Sequence, residues 1–130
     1  MTPFLDRGFE WLQMIFASSA ASVSRILVLR DVSKYSVEIG IEHSHWLQAL
    51  QISIHDYHMS HPPAAGRALP IETFHAKIVL ADDGLAYVGS ANIQGSGDGT
   101  SLEAGFIVDG RAAIQVARLV DGVLRVAKAI

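Results

Sequence analysis

The chain contains no cysteine among its 130 residues. Disulfides and metal sites built from thiolates are therefore excluded, and cysteine usage leaves the redox compartment undetermined. No apolar run approaches the roughly 20 residues that a membrane-spanning helix needs. Asp6, Arg7 and Glu10 place charges where a signal peptide requires an apolar segment. We therefore expect a cytoplasmic protein without a membrane span.

The chain also lacks an excess of basic charge. It carries 10 Lys and Arg residues against 13 Asp and Glu, for a net charge of −3, and the basic residues form no run. A protein that holds long nucleic acid mainly by charge is usually basic, because phosphate neutralisation supplies much of the affinity. Tight nonspecific DNA binding is therefore disfavoured, although a local positive pocket stays compatible with this composition.

What the chain does contain is enough apolar material for a core. Half of its residues are hydrophobic and only 18% are charged, which is typical of a globular chain and not of a disordered one. A length of 130 residues fits one domain, so we predict a single domain over 1–130. The apolar surplus also hints at a buried contact between subunits.

Apolar periodicity predicts an α/β fold with a mixed sheet flanked by helices. In the first predicted helix, Trp11, Leu12 and Ile15 fall near one face, and Trp46 is expected in the core. A strand-helix-strand succession early in the chain predicts two parallel strands. An Asp-Gly pair, Asp83-Gly84, between two later apolar runs predicts a hairpin. The predicted helices cover residues 3–20, 35–50 and 111–130, and the predicted strands cover 25–30, 51–57, 73–80, 85–89 and 102–108.

The predicted hairpin carries a set of side chains suited to a phosphoryl group. His75 and Lys77 are two residues apart on its first arm, so their side chains are expected on the same face. Ser90 and Asn92 have the same spacing at the end of the second arm. Together they provide a nucleophile or base, a cation, and two neutral groups that donate to non-bridging oxygens.

The spacing of these residues resembles the HKD motif of the phospholipase D superfamily. His75-x-Lys77-x-x-x-x-Asp82 is followed, after six residues, by Gly89-Ser90-Ala91-Asn92, without a gap or a substitution. The resemblance covers about residues 74–110. It implies one phospholipase D-like half-domain that cleaves phosphodiesters through a phosphohistidine, without a metal or other cofactor.

The resemblance also implies roles for individual residues. His75 would be the nucleophile, or the partner that protonates the leaving oxygen. Lys77 and Asn92, supported by Ser90, would hold the phosphate. Glu103 would accept a hydrogen bond from the far ring nitrogen of His75 and so fix its tautomer. We interpret Asp82 as a structural turn residue, alongside the motif residue Gly89, because a turn aspartate organises backbone amides.

A single histidine motif implies a second one nearby. In-line displacement needs one group that attacks phosphorus and another, on the opposite side, that protonates the departing oxygen. Larger members of the superfamily carry two motifs in one chain, whereas short bacterial nuclease-like members form a two-fold dimer. We therefore expect a homodimer. Nucleic acid is the first choice of substrate, although the acidic balance lowers that choice, and a phospholipid or small diester follows.

Two alternatives stay open at this point. The chain could be a non-catalytic or half-site subunit that works only with another motif-bearing chain. It could also be a histidine metalloenzyme, since His55, His58 and His61 are spaced three apart. That spacing does not put the three rings on one face of a strand-to-loop segment, so we expect no metal site. His58 or His61 lining the substrate groove is the better interpretation.

Overall fold

A computed structural model describes residues 1–2, 9–35, 44–58, 74–91 and 103–130 of the chain. None of the helices in these ranges is both long and apolar enough to cross a membrane. The elements, in chain order, are α1 (Phe9–Ser18), β1 (Arg25–Leu29), a 3-10 helix (Val32–Tyr35), α2 (Ser44–Ala49), β2 (Ile52–Asp56), β3 (Lys77–Ala81), β4 (Leu85–Gly89), β5 (Gly105–Asp109), α3 (Gly110–Leu124) and β6 (Lys128–Ala129).

The strands form two three-stranded sheets. In the first, β1 and β2 pair in parallel, as predicted, and β6 pairs antiparallel with the far side of β2. In the second, β3, β4 and β5 are antiparallel throughout. The predicted α/β class is therefore confirmed, but the strands form two sheets where one mixed sheet was predicted, and only the first sheet has mixed strand directions. The finer prediction of a phospholipase D-like half-domain stays a prediction.

Met1 and Thr2 connect the two sheets. The amino group of Met1 donates to the carbonyl oxygen of Ile78 at 2.6 Å, and the Ile78 amide donates back to Met1 at 3.0 Å. Thr2 forms a parallel bridge with Leu29, and its amide donates to the carbonyl oxygen of Val28 at 3.1 Å. These two residues therefore occupy the position of a short strand between β1 and β3. No sequence pattern predicted this connection.

The core of the first sheet is built from alternate residues of its parallel strands. Leu27 and Leu29 of β1 and Ile54 of β2 cluster with Leu12 of α1 and Leu47 of α2. The predicted helix face is partly wrong, because Trp11 is 53% exposed and Ile15 is 37% exposed. Leu12 and Phe16, four residues apart on one face, contact the core instead. Trp46 packs against the same cluster, as expected.

The closing helix ends earlier than predicted. α3 packs against the second sheet, and its buried residues are Ala113 and Ala117, whose small side chains allow close approach. The predicted continuation to Ile130 is wrong. The helix stops at Leu124, where the carbonyl oxygen of Val123 accepts from two following amides. The chain then pairs with the free edge of β2, which satisfies more backbone groups than an exposed helix end would.

The hairpin between β3 and β4 is confirmed. β4 has the predicted bounds, and the Gly84 amide donates to the carbonyl oxygen of Ala81 at 3.3 Å. Asp82 has a φ of 50°, in the left-handed region that aspartate tolerates better than most residues. Two strands begin later than predicted. β3 begins at Lys77 and not at residue 73, and β5 begins at Gly105 and not at residue 102. Of the second predicted helix, only α2 and the 3-10 helix lie within the described residues.

Arg25, in β1, connects the first sheet to the ends of α1 and α2. It is only 7% exposed, and its guanidinium donates to the carbonyl oxygens of Phe16, Ser19 and Ala20 at 3.1, 3.2 and 2.9 Å. A further bond reaches the carbonyl oxygen of Leu50, beyond the end of α2. The planar guanidinium therefore donates to backbone oxygens at the C-terminal ends of both α1 and α2. Its positive charge also interacts favourably with the partial negative charge of these helix ends.

We predict that Arg25→Lys lowers the free energy of unfolding by about 2 to 3 kcal/mol, because an ammonium cannot reach these separate carbonyl oxygens and leaves buried acceptors unsatisfied. Urea denaturation measures the change. Arg118→Lys, at an exposed position on α3, is the matched control and should leave stability within about 0.5 kcal/mol of the parent. Equal stability of the two variants would contradict the role given to Arg25.

Burial of the Met1 amino group makes the stability depend on pH. Desolvation lowers the pKa of this amine from 8.0 to about 5 in the folded protein. Between these values the unfolded chain binds the proton and the folded chain does not, so stability rises with pH across that window. Below pH 5 the folded protein also binds the proton, so this amine no longer makes the stability change with pH.

We predict that the free energy of unfolding falls by up to about 4 kcal/mol as the pH drops from 8 to 5. The measurement is urea denaturation at several pH values, on protein whose intact mass shows Met1 with a free amino group. The Nα-acetylated protein carries the same histidines but no titrating amine. Its pH profile should be flatter by that amount, and parallel profiles would rule out a contribution from Met1.

Candidate functional site

The predicted site residues meet at one end of the second sheet. There Lys77, Gly89 and Gly105 lie directly opposite one another across β3, β4 and β5. An open pocket at this end is lined by His75, Lys77, Ser90 and Glu103, together with Val88, Gly89, Ala104, Gly105 and Phe106. The hairpin and the return of β5 therefore bring together residues that are 28 positions apart in the sequence, from His75 to Glu103.

His75 and Lys77 are in direct contact. The Lys77 ammonium lies 2.9 Å from Nδ1 of His75 and 3.3 Å from Nε2. The prediction that His75 belongs to the strand is wrong, because β3 begins two residues later. His75 is exposed, whereas Lys77 is 3% exposed.

This contact determines which hydrogen-bonding role the ring nitrogen takes. An ammonium donates and never accepts, so the imidazole nitrogen that it contacts must present its lone pair. That nitrogen could attack phosphorus only after releasing this hydrogen bond, and the cation beside it is placed to offset phosphate charge. Burial of a lysine is rare in proteins unless its charge has a partner or a function.

Ser90 ties the end of β4 to the segment before β5. Its hydroxyl donates to Oε2 of Glu103 at 2.5 Å, while the Ala104 amide donates to the same hydroxyl at 3.0 Å. The Ser90 amide also donates to the carbonyl oxygen of Ala104 at 2.8 Å. These bonds hold the Glu103 carboxylate at the pocket. The predicted bond between Glu103 and His75, and phosphate binding by Ser90, stay predictions.

The side chain of Tyr87 lies over Gly89 and Gly105 at this end of the sheet. Tyr87 was not among the site residues predicted from the sequence. A Cβ atom added to Gly89 would lie 2.2 Å from the hydroxyl of Tyr87, and one added to Gly105 would lie 2.4 Å from ring atom Cε2. The ring therefore rests on the backbone of both glycines, where no other residue type fits. The signal in the sequence was the spacing of two between Tyr87 and Gly89, which places both on one face of β4.

The remaining predicted residues lie elsewhere. Asp82 is exposed in the turn at the opposite end of the hairpin, far from the pocket. Asn92 lies outside the described residues, as does His61. His58 places Nδ1 4.0 Å from a carboxylate oxygen of Asp31, away from the pocket residues. Among the described residues, no group of three or more histidine or acidic side chains is arranged to hold a metal ion.

No protein-family model matches the chain, and no curated protein matches it either.

We predict that Gly89→Ala lowers the free energy of unfolding by about 1 to 3 kcal/mol, because the new methyl group must displace the Tyr87 ring. The control is Gly122→Ala in α3, where an added Cβ meets nothing within 4 Å. That variant should gain about 0.5 to 1 kcal/mol from the helix preference of alanine. Thermal and urea denaturation of both variants provide the comparison. A Gly89→Ala protein as stable as the parent would show that Tyr87 does not lie over Gly89.

Proposed function

We propose that this protein is a metal-independent phosphodiesterase that acts through a phosphohistidine, at an active site completed by two copies of the chain. The observation that carries the proposal is the contact of the buried Lys77 ammonium with the ring of His75. Ser90 and Glu103 line the same pocket. The spacing of these residues matches the motif of a superfamily that uses this chemistry.

The proposed reaction has two displacement steps. A ring nitrogen of His75 attacks phosphorus and forms a P–N bond, while the P–O bond to the leaving group breaks. The second histidine, from the other copy, gives its proton to the departing oxygen. That histidine then removes a proton from water, whose oxygen attacks phosphorus and releases His75. Lys77 offsets the negative charge of the phosphoryl oxygens throughout, and no metal is needed for either step.

An exposed apolar surface beside the pocket supports the pairing of two copies. Directly paired residues on neighbouring strands point to the same side, so Val79, Leu85 and Ile107 share the sheet face of Lys77. Their exposed fractions are 37%, 48% and 74%. On the opposite face, α3 covers Ile78 and Ala86, which are 3% and 1% exposed. A second copy on the open face would bury apolar area next to the site.

The first choice of substrate is a nucleic acid phosphodiester. The exposed ring of Phe106 at the pocket, 76% accessible, offers a surface on which a base can stack. With a net charge of −3, the chain has little capacity to hold long duplexes by charge. Short or single-stranded substrates therefore fit the site better than duplex DNA does.

We predict that the protein cleaves bis(p-nitrophenyl) phosphate in excess EDTA, and that His75→Ala lowers the rate by at least about 1,000-fold, because the displacement loses its nucleophile. Release of p-nitrophenolate measures the rate. His45→Ala, which removes an exposed histidine of α2 outside the pocket, is the matched control and should keep the parent rate.

Dilution separates a shared site from one contained in a single chain. If two copies form the site, the rate per chain falls as the protein is diluted below its dimer dissociation constant. Sedimentation at the same concentrations should show monomer appearing in step with that loss. Activity that disappears with EDTA, or persists in His75→Ala, would reject the proposed mechanism. A fully active monomer would reject the shared site.

A further inference from the structure

The tip of Tyr87 reaches the row of residues that forms the pocket. Its hydroxyl lies where a Cβ atom of Gly89 would be, within 2.2 Å of that position. Lys77 is directly opposite Gly89 on the neighbouring strand. Side-chain positions of such cross-strand pairs are about 5 Å apart, so the hydroxyl lies beside the stem of Lys77.

The hydroxyl of Tyr87 is available for a ligand. The residue is half-buried, and within the described part of the chain its hydroxyl makes no hydrogen bond. A tyrosine hydroxyl that lies against protein usually has a partner. Here the ring packs tightly on Gly89 and Gly105, two residues that line the pocket, and this packing fixes the direction of its hydroxyl. Such an arrangement is typical of a donor positioned in advance for a bound group.

We propose that Tyr87 is a substrate-contacting residue whose hydroxyl donates to a non-bridging oxygen of the bound phosphate group, next to the charge of Lys77. The inference deepens the proposed function, since it names a donor of the same pocket. It also explains why glycine occupies positions 89 and 105. Gly89 and Gly105 lack side chains so that the ring can lie flat and carry its hydroxyl from β4 to the row of Lys77.

The test compares Tyr87→Phe with the parent protein, because phenylalanine keeps the ring on the glycines and removes only the hydroxyl. The probe is inorganic phosphate, whose binding is followed by calorimetry, and bis(p-nitrophenyl) phosphate cleavage is measured alongside. A hydrogen bond to a charged group contributes enough that we expect phosphate affinity and kcat/KM each to fall by roughly 10-fold or more. The melting temperature should be unchanged.

Tyr35→Phe is the matched control, since Tyr35 packs against the core of the first sheet. It should leave phosphate affinity at the parent value. Lys77→Ala should abolish phosphate binding, which places the measured binding in the pocket. Phosphate affinity in Tyr87→Phe equal to that of the parent overturns the inference, even if the parent cleaves the diester.

The two readouts separate this inference from the proposed reaction. If the parent binds phosphate but cleaves no diester, and Tyr87→Phe binds phosphate more weakly, the Tyr87 contact stands and the proposed reaction fails. If the parent binds no phosphate at all, the inference is overturned together with the phosphate pocket on which it rests.

Discussion

The central position of β4 is the constraint on which the candidate site depends. β4 pairs with β3 on one side and with β5 on the other, and the register of both ladders is fixed along five residues. This double pairing sets Lys77 level with Gly105, and it places Ser90 within reach of Glu103. Because a shift of one residue would turn every side chain to the other face, the same ladders also determine which apolar residues α3 covers.

At this end of the sheet, the packing of Tyr87 and the pairing of Lys77 with His75 both require departures from regular strand structure. An aromatic ring needs room above two strands, and only residues without a side chain leave that room. A buried ammonium needs a partner, and the exposed ring of His75 supplies it from an irregular segment. Both arrangements interrupt regular strand structure locally, since glycine adds no side-chain packing and His75 lies outside β3. Regular pairing further along β3, β4 and β5 offsets that loss.

Local chemistry explains which features could be predicted from the sequence. The Asp-Gly turn and the apolar run after it predicted β4 to the residue. The spacing predicted that His75, Lys77, Ser90 and Asn92 would converge, and the resemblance added Glu103; of these, His75, Lys77, Ser90 and Glu103 line one pocket, and Asn92 lies outside the described residues. The predicted strand position of His75 failed, because a short run before a strand carries the same alternation as the strand itself. β6 was missed because two residues show no periodicity, and its pairing with β2 depends on contacts distant in sequence. The packing of Tyr87 against Gly89 has a local signal in their spacing of two, but its packing against Gly105, in another strand, has none.

The connection made by Met1 and Thr2 has a consequence for how the molecule is assembled during synthesis. Met1 leaves the ribosome before its partner, Ile78, which is 77 residues further along the chain. Thr2 can pair with the edge of β1 as soon as Leu29 has been made, whereas the bonds between Met1 and Ile78 must wait for β3. Closing so long a loop is slow compared with forming the hairpin of β3 and β4. The two sheets can therefore form separately, and the bonds between Met1 and Ile78 join them only after β3 has been made.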